Sequence, residues 1–227
     1  MPESINIDSR LKTIADMITG GVVADIGSDH AYLPVWLWQN NKIKKAYAID
    51  ISANVINKIK LNLLKYNISE EIIIPVLSDG LPNGFNDVTD VVISGIGGGT
   101  ISQIINKINA DKKDINFILQ AANKDEILRG FLYNNGFDII NEIIVEAGKR
   151  IYNIINAKFT GIIYKPKLIE IIAGKNIKHA GYLNNIIIRF QRILKGLDAK
   201  DKDKYNIKTE FGYYRDIENL IAEIKNL

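Results

Sequence analysis

The chain is 227 residues long, carries 29 Lys+Arg against 26 Asp+Glu for a formal net charge of +3, and is 47% hydrophobic. That profile is typical of a folded globular protein and excludes disorder, collagen and a membrane-spanning bundle, and no apolar run approaches the roughly 18 residues a spanning helix needs. The start MPESINIDSR lacks a positive stretch followed by an apolar one, so a cytoplasmic protein is expected. The absence of cysteine excludes disulfides, thiolate zinc sites, iron–sulfur clusters and cysteine nucleophiles; with only His30 and His179, no metal site is expected.

Short apolar runs at residues 22–26, 46–49, 72–77, 91–93, 117–119, 139–145 and 151–159 read as strands. The segments of helical period at 31–39, 52–66, 100–108 and 125–135 read as helices. Ser52 is placed to cap the second of these, and Asn135-Gly136 to stop the last. Strands apolar on both faces and separated by helices imply a parallel sheet covered on both sides. The last two runs are joined by Glu146-Ala147-Gly148-Lys149, a hairpin-length connection, so the sheet is expected to end in an antiparallel pair. The fold class is therefore α/β and Rossmann-like, mostly parallel with the last strand antiparallel.

After Thr160-Gly161 the pattern turns helical. Leu183, Ile186, Phe190, Ile193 and Leu197 recur at spacings of three and four, as do Tyr213, Ile217, Leu220, Ile224 and Leu227. Such stripes are too short for an independent coiled coil but suited to pairing, which predicts an antiparallel helical hairpin whose joining segment, 198–204, is almost wholly charged. Two domains are expected, 1–160 and 161–227. Charge divides along the same line: residues 1–159 hold 16 basic and 18 acidic side chains, and the remainder 13 and 8. Lys165, Lys167, Lys175, Lys178, Arg189, Arg192 and Lys195 face only Glu170. This asymmetry reads either as a surface for a polyanion or as a solvated helical face.

The chemistry is concentrated at the strand ends, where ligands bind in doubly wound sheets. The first strand runs into Gly27-Ser28-Asp29-His30-Ala31. This is not the dinucleotide fingerprint, because Asp29 stands at the second glycine position and would meet a pyrophosphate with a carboxylate. A cofactor with positive charge near the loop is favoured instead. Asp50 ends the second strand 23 residues after Gly27, close to the offset at which a carboxylate meets ribose hydroxyls. The third run ends in Ser78-Asp79-Gly80, the fourth in Ser94-Gly95-Ile96-Gly97-Gly98-Gly99, open to a flat or bulky substrate, and the fifth in Gln120-Ala121-Ala122-Asn123, whose amides can address a base edge. Each alone reads as a turn. Together they suit S-adenosylmethionine, with its sulfonium, amino-acid tail, ribose and adenine, and point to a methyltransferase.

The run from Asp25-Ile26-Gly27-Ser28-Asp29-His30-Ala31 through Tyr32-Leu33-Pro34 carries a more specific signal, with Ser9-Arg10-Leu11 before it and Ser78-Asp79-Gly80-Leu81, Gly95-Ile96-Gly97-Gly98 and Gly148-Lys149-Arg150-Ile151-Tyr152 after it. These blocks resemble the bacterial tRNA adenine-N1-methyltransferases acting on position 22, over nearly the whole chain. The sequence departs at Gln120-Ala121-Ala122-Asn123, where the family usually reads Gln-Pro-Asn. The resemblance implies S-adenosylmethionine as cofactor, S-adenosylhomocysteine as product, tRNA as partner, no metal and a monomer. It implies that Gly27, Asp29 and His30 border the methionine, Asp50 the ribose, and Asp79 and Gly80 the adenine, with Asp25, Ser28, Ile51 and Ser78 completing the cofactor site. Arg10 would reach the cofactor carboxylate or form a surface salt bridge, and Gly95, Gly97 and Gly98 would floor the transfer site. Asp29 would either stabilise charge on the target ring or hold the methionine ammonium, while Gln120, Asn123 and Tyr32 are candidates for positioning the base. Tyr32 and Trp36, four apart on one helix face, either pack into the core, the favoured reading, or line the entrance. Lys165, Lys167, Lys178, Arg189, Arg192 and Lys195 are the expected tRNA contacts.

Overall fold

In the computed structural model, which describes residues 4–108, 112–175, 177–195 and 215–227, the apolar runs assemble into one seven-stranded sheet. The elements are α1 Ser9–Met17, β1 Val22–Ile26, α2 Tyr32–Gln39, β2 Lys45–Asp50, α3 Ala53–Lys65, β3 Ile73–Leu77, β4 Asp90–Ile96 and α4 Gly98–Lys107. They continue with β5 Asn116–Ala121, α5 Asp125–Asn134, β6 Phe137–Ala147, β7 Arg150–Phe159, α6 Leu168–Ala173, α7 Ala180–Lys195 and α8 Arg215–Lys225. The sheet order is β3-β2-β1-β4-β5-β7-β6. Strands β1 to β5 pair in parallel, and β7 runs antiparallel to both neighbours.

Successive strand residues point to opposite faces, and both faces are covered. Ala24, Ile49, Ile93 and Leu119 enter a core with Ile101, Ile105, Leu128 and Leu132 of α4 and α5. Val23, Ala48, Val92 and Ile118 enter the opposite core with Ile14, Leu33, Ile56 and Ile59 of α1, α2 and α3. This arrangement explains why the strands lack an alternating apolar–polar pattern. At the amino edge of the sheet the fully buried Asp90 accepts hydrogen bonds from the Thr19 amide and hydroxyl, the Thr89 hydroxyl and the Asn116 amide, at 2.8–3.0 Å. Asn116 also donates to the Met17 carbonyl, fixing the end of α1 there.

Three local readings change. The helix expected at 31–39 begins at Tyr32, because Asp29–Ala31 forms a 3-10 turn in which His30 and Ala31 take left-handed backbone (φ 59 and 54). Ser52 does stand at the start of α3, but its side chain makes no capping bond; its amide instead donates to Asp50 at 2.8 Å. β6 extends two residues earlier and two later than its apolar run, to Phe137–Ala147, and β7 begins one residue earlier, at Arg150. Asn135 and Gly136 end α5 as expected.

The C-terminal helices share a third core. Ile169, Ile172, Leu183, Ile186, Phe190, Leu220 and Ile224 pack together, and Ile144 and Ile151 of the β6–β7 hairpin lean against them. Of the two predicted stripes, Leu197 and Tyr213, with the charged segment 198–204, lie outside the described residues. One buried polar cluster joins this layer to the sheet. Arg129 on α5 donates to Glu142 on β6 at 2.8 Å, to the Ile171 and Ile172 carbonyls of α6, and to the Tyr182 hydroxyl of α7 at 2.8 Å. Tyr182 in turn donates to Asp125 at 2.9 Å. Burial disfavours the charged guanidinium, but Glu142, Tyr182 and Asp125 more than offset it and hold the pKa of Arg129 above its ordinary value. Among the described residues no helix is long and apolar enough to cross a membrane.

Candidate active site

The order of winding reverses between β1 and β4, which opens a crevice at the carboxyl ends of these two strands. The turn after β1 is fastened to β2, since the Gly27 and Ser28 amides both donate to the Ile49 carbonyl, at 2.9 and 3.0 Å. Gly27 takes φ +77, and a Cβ there would meet nothing within 4 Å, so the turn presents open backbone to the crevice. Asp25, one residue from the end of β1, is buried and accepts the Ser28 hydroxyl at 2.5 Å. Burial raises its carboxyl to about 6; the Ser28 hydrogen bond and Arg10 pull it down, and Asp50 pushes it up.

The rest of this turn faces water. The Asp29 side chain is 73% exposed and 3.4 Å from His30. The His30 ring stacks on Tyr32, with centroids 5.2 Å apart, and its carbonyl accepts the Asn62 amide. Tyr32 is 42% exposed and so is not the core residue favoured from its spacing; the left-handed pair before it rotates the ring outward, while Trp36 is half-buried against the core. Ile51 is exposed beyond Asp50, and the Ser78 amide donates to the Asp50 carbonyl. Asp79 pairs with Lys107 of α4 at 2.6 Å, next to Gly80.

The ends of β4 and β5 are organised by Arg10. Its Nη1 donates to the Ser94 hydroxyl at 3.2 Å and to Gln120 Oε1 at 3.1 Å, and its guanidinium lies 5.5 Å from the Tyr152 ring centre. The contact with Asp8, at 3.9 Å, is secondary, so Arg10 belongs to the crevice and not to a surface pair. Gln120 is fully buried, accepts the Gly95 amide at 3.1 Å as well, and donates to the Ala121 carbonyl at 2.6 Å. The Gly98 amide donates to the Asn123 carbonyl at 3.0 Å, and a Cβ on Gly98 would collide with the Lys124 carbonyl. The glycine run thus brings the start of α4 against the loop after β5. Asn123 itself is exposed.

These elements border a cleft of about 590 Å³. One wall is Arg10, Gly95 and residues 120–126; the others are residues 149–153 of the hairpin and Tyr182, Asn185, Ile186 and Arg189 of α7. Of the sequence-predicted residues the cleft brings together Arg10, Gly95, Gln120, Asn123 and Arg189; Asp29 and Tyr32 are not among its lining residues. Arg189 pairs with Glu126 at 3.1 Å, whereas Lys165, Lys167, Lys178, Arg192 and Lys195 are exposed. The 16 residues of α7 span about 24 Å, so Lys178 before it and Lys195 at its end do not form one patch. Lys149, Arg150 and Tyr152 are the residues whose role the sequence reading missed. Their signal was the Gly148-Lys149-Arg150-Ile151-Tyr152 block together with the hairpin length, since a strand returning antiparallel to β5 must begin beyond the carboxyl edge. Among the described residues there is no group of three acidic or imidazole side chains able to hold a metal ion.

The crevice at the reversal point of this Rossmann-like sheet, with Asp29 where the dinucleotide fingerprint has its second glycine, suits a methyltransferase, and the family match makes that the class. The methyltransferase domain family matches residues 7–155. The tRNA (adenine(22)-N(1))-methyltransferase of Bacillus subtilis is 31% identical over 160 residues, 68% of this chain and 66% of its own, so the match spans slightly under two thirds of that relative. The structure of M. capricolum TrmK in complex with S-adenosyl-homocysteine covers 97% of this chain and 96% of its own at 29% identity and a TM-score of 0.78. A Streptococcus agalactiae protein of the NADB-Rossmann superfamily has the same fold, at 22% identity over 98% of this chain and 97% of its own, with a TM-score of 0.83. The chain belongs to the methyltransferase domain family.

Proposed function

We propose that this protein transfers a methyl group from S-adenosylmethionine to N1 of an adenine in tRNA, at position 22. The observation that carries the reading is the cleft itself, which adjoins the crevice at the β4 end and is walled by amides, two tyrosines and cations. The donor supplies an electrophilic methyl on a sulfonium. The residues at hand fit it: Gly27 leaves open space above the turn, and Asp25 near the end of β1, Asp29 on the turn and Asp50 at the end of β2 bring carboxylates to this edge of the sheet, which suits a cationic ligand.

Adenine N1 keeps its lone pair at neutral pH, so the protein needs no base to uncover it. Its task is alignment, which can supply several kcal/mol of rate enhancement. Asp29, exposed on the turn and outside the cleft, serves the methionine end, and Asp50 the ribose. Asn123, whose amide is exposed at the cleft, orients the base, while Gln120 holds Arg10 and Gly95 in place. The basic residues Lys165, Lys167, Lys178, Arg192 and Lys195 on the 161–227 unit add phosphate contacts, which fix orientation without reading sequence. The protein acts as a monomer on tRNA in the cytoplasm.

The test is transfer of labelled methyl to unmodified tRNA transcripts, with the product nucleoside identified after digestion. Label in 1-methyladenosine, lost when the adenine at position 22 alone is replaced, is expected. Label in another nucleoside, or in none, would sink the reading.

A further inference from the structure

Pairing between β5 and β7 ends at Leu119–Ile155, yet β6 and β7 remain paired to Ala147–Arg150. The hairpin therefore continues for five residues of β7, roughly 16 Å, past its last pairing with β5, the final three of them beyond the level of Ala121, where β5 ends at the carboxyl edge of the sheet. It is braced there from α1, because the Ser9 hydroxyl donates to the Glu146 carbonyl at 2.7 Å and Arg10 lies against Tyr152. At its tip Lys149 and Arg150 are exposed, line the cleft, and make no ion pair among the described residues.

The charge around the cleft is opposite to that of its domain. Residues 1–159 carry 16 basic and 18 acidic side chains, whereas five cations (Arg10, Lys124, Lys149, Arg150, Arg189) and two acids (Asp125, Glu126) line the cleft. Both acids are engaged, Asp125 by Tyr182 and Glu126 by Arg189. A base delivered into the cleft leaves its own phosphates at the mouth, where the overhanging tip stands.

We propose that the β6–β7 tip, through Lys149 and Arg150, is a lip that grips the phosphodiester backbone beside the target nucleotide. This places the principal grip on the catalytic domain and rests on the tRNA reading above. Phosphate contacts position a substrate and make its binding salt-dependent, each neutralised phosphate adding about 0.7 to 0.9 to the log–log slope.

The experiment compares wild type, K149Q/R150Q and K149E/R150E for tRNA transcript binding from low to moderate salt, steady-state methylation, and S-adenosylmethionine binding. In K149Q/R150Q the tRNA KM should rise by about ten-fold and the salt slope shrink by about 1.4 to 1.8, with kcat and cofactor Kd within about two-fold of wild type. The charge reversal should weaken tRNA binding further. A KM and salt slope equal to wild type would overturn the lip while leaving the methylation reading intact. Lost cofactor binding in K149Q/R150Q would assign the tip to the cofactor site and also overturn it. A wild-type protein that transfers no methyl to tRNA would overturn both.

Discussion

The Arg129 guanidinium donates to Glu142 at 2.8 Å while the two side chains are 0% and 2% exposed. Removing one member of such a pair strands a buried charge, whereas removing both is far milder. Arg129→Met should lower unfolding free energy by about 3–5 kcal/mol in urea titrations, and the added Glu142→Leu should recover part of it. Full recovery is not expected, because the Ile171 and Ile172 carbonyls lose their donor as well. Strict additivity of the two single changes would show that the pair is uncoupled.

Asp25 makes stability depend on pH. Its folded pKa, about 6, exceeds the unfolded value of 3.8, so the fold favours the protonated form. That contribution is complete below pH 3.8 and is lost as pH rises through 6, leaving the ionised group costing about 3 kcal/mol at neutral pH. Asp25→Asn should therefore raise the denaturation midpoint of the ligand-free protein at pH 7 to 8 and flatten its decline between pH 4 and 7. Cofactor binding should show the opposite trend: the wild type binds more tightly as pH passes 6, because a cationic ligand favours the carboxylate, and the Asn variant does not. Calorimetry across that range checks both.

Gly98→Ala places a methyl against the Lys124 carbonyl and pushes the Asn123 loop away from α4. Overpacking of this kind costs about 1–3 kcal/mol, and kcat should fall while cofactor Kd holds. Gly99→Ala, whose Cβ meets nothing within 4 Å, is the matched control and should leave both kinetics and stability near wild type. Equal losses in the two variants would assign the effect to glycine chemistry in general.

Asp29→Ala separates the two roles open to this carboxylate. Its exposure and its place outside the cleft predict a raised KM for S-adenosylmethionine, with the rate restored at saturating cofactor. A rate that stays depressed at saturation would return Asp29 to the reacting ring.

The positions of the strand ends were legible because a buried parallel strand must be a continuous apolar run that stops where the chain turns, as at Ile26-Gly27 and Ile49-Asp50. The antiparallel finish was legible from the four residues 146–149. What stayed hidden depends on partners distant in sequence. Arg129 sits in a helix of ordinary composition, and its burial follows from Glu142, Ile171 and Tyr182, 13 to 53 residues away. Arg10 reads in the sequence as either a cofactor contact or a surface pair, and only Ser94 and Gln120, 84 and 110 residues on, place it at the ends of β4 and β5. Tyr32 misled for a local reason, since helix periodicity presumes a regular start and the left-handed His30-Ala31 pair alters it. The cleft drew on Lys149 and Tyr152, whose importance lies in how far a hairpin projects, a property of register and not of residue type.

Helix α1 is held at opposite edges of the sheet, with Asp90 and Asn116 gripping the chain after Met17 and Thr19 while Arg10 locks into Ser94 and Gln120. A helix held at one end only would fray from the other. Here it cannot open without breaking contacts at both ends of β4. Its amides, those of Ile14 and Ala15 among them, should therefore exchange with deuterium only as fast as the central strands do, making α1 a reporter of global opening instead of a loose end.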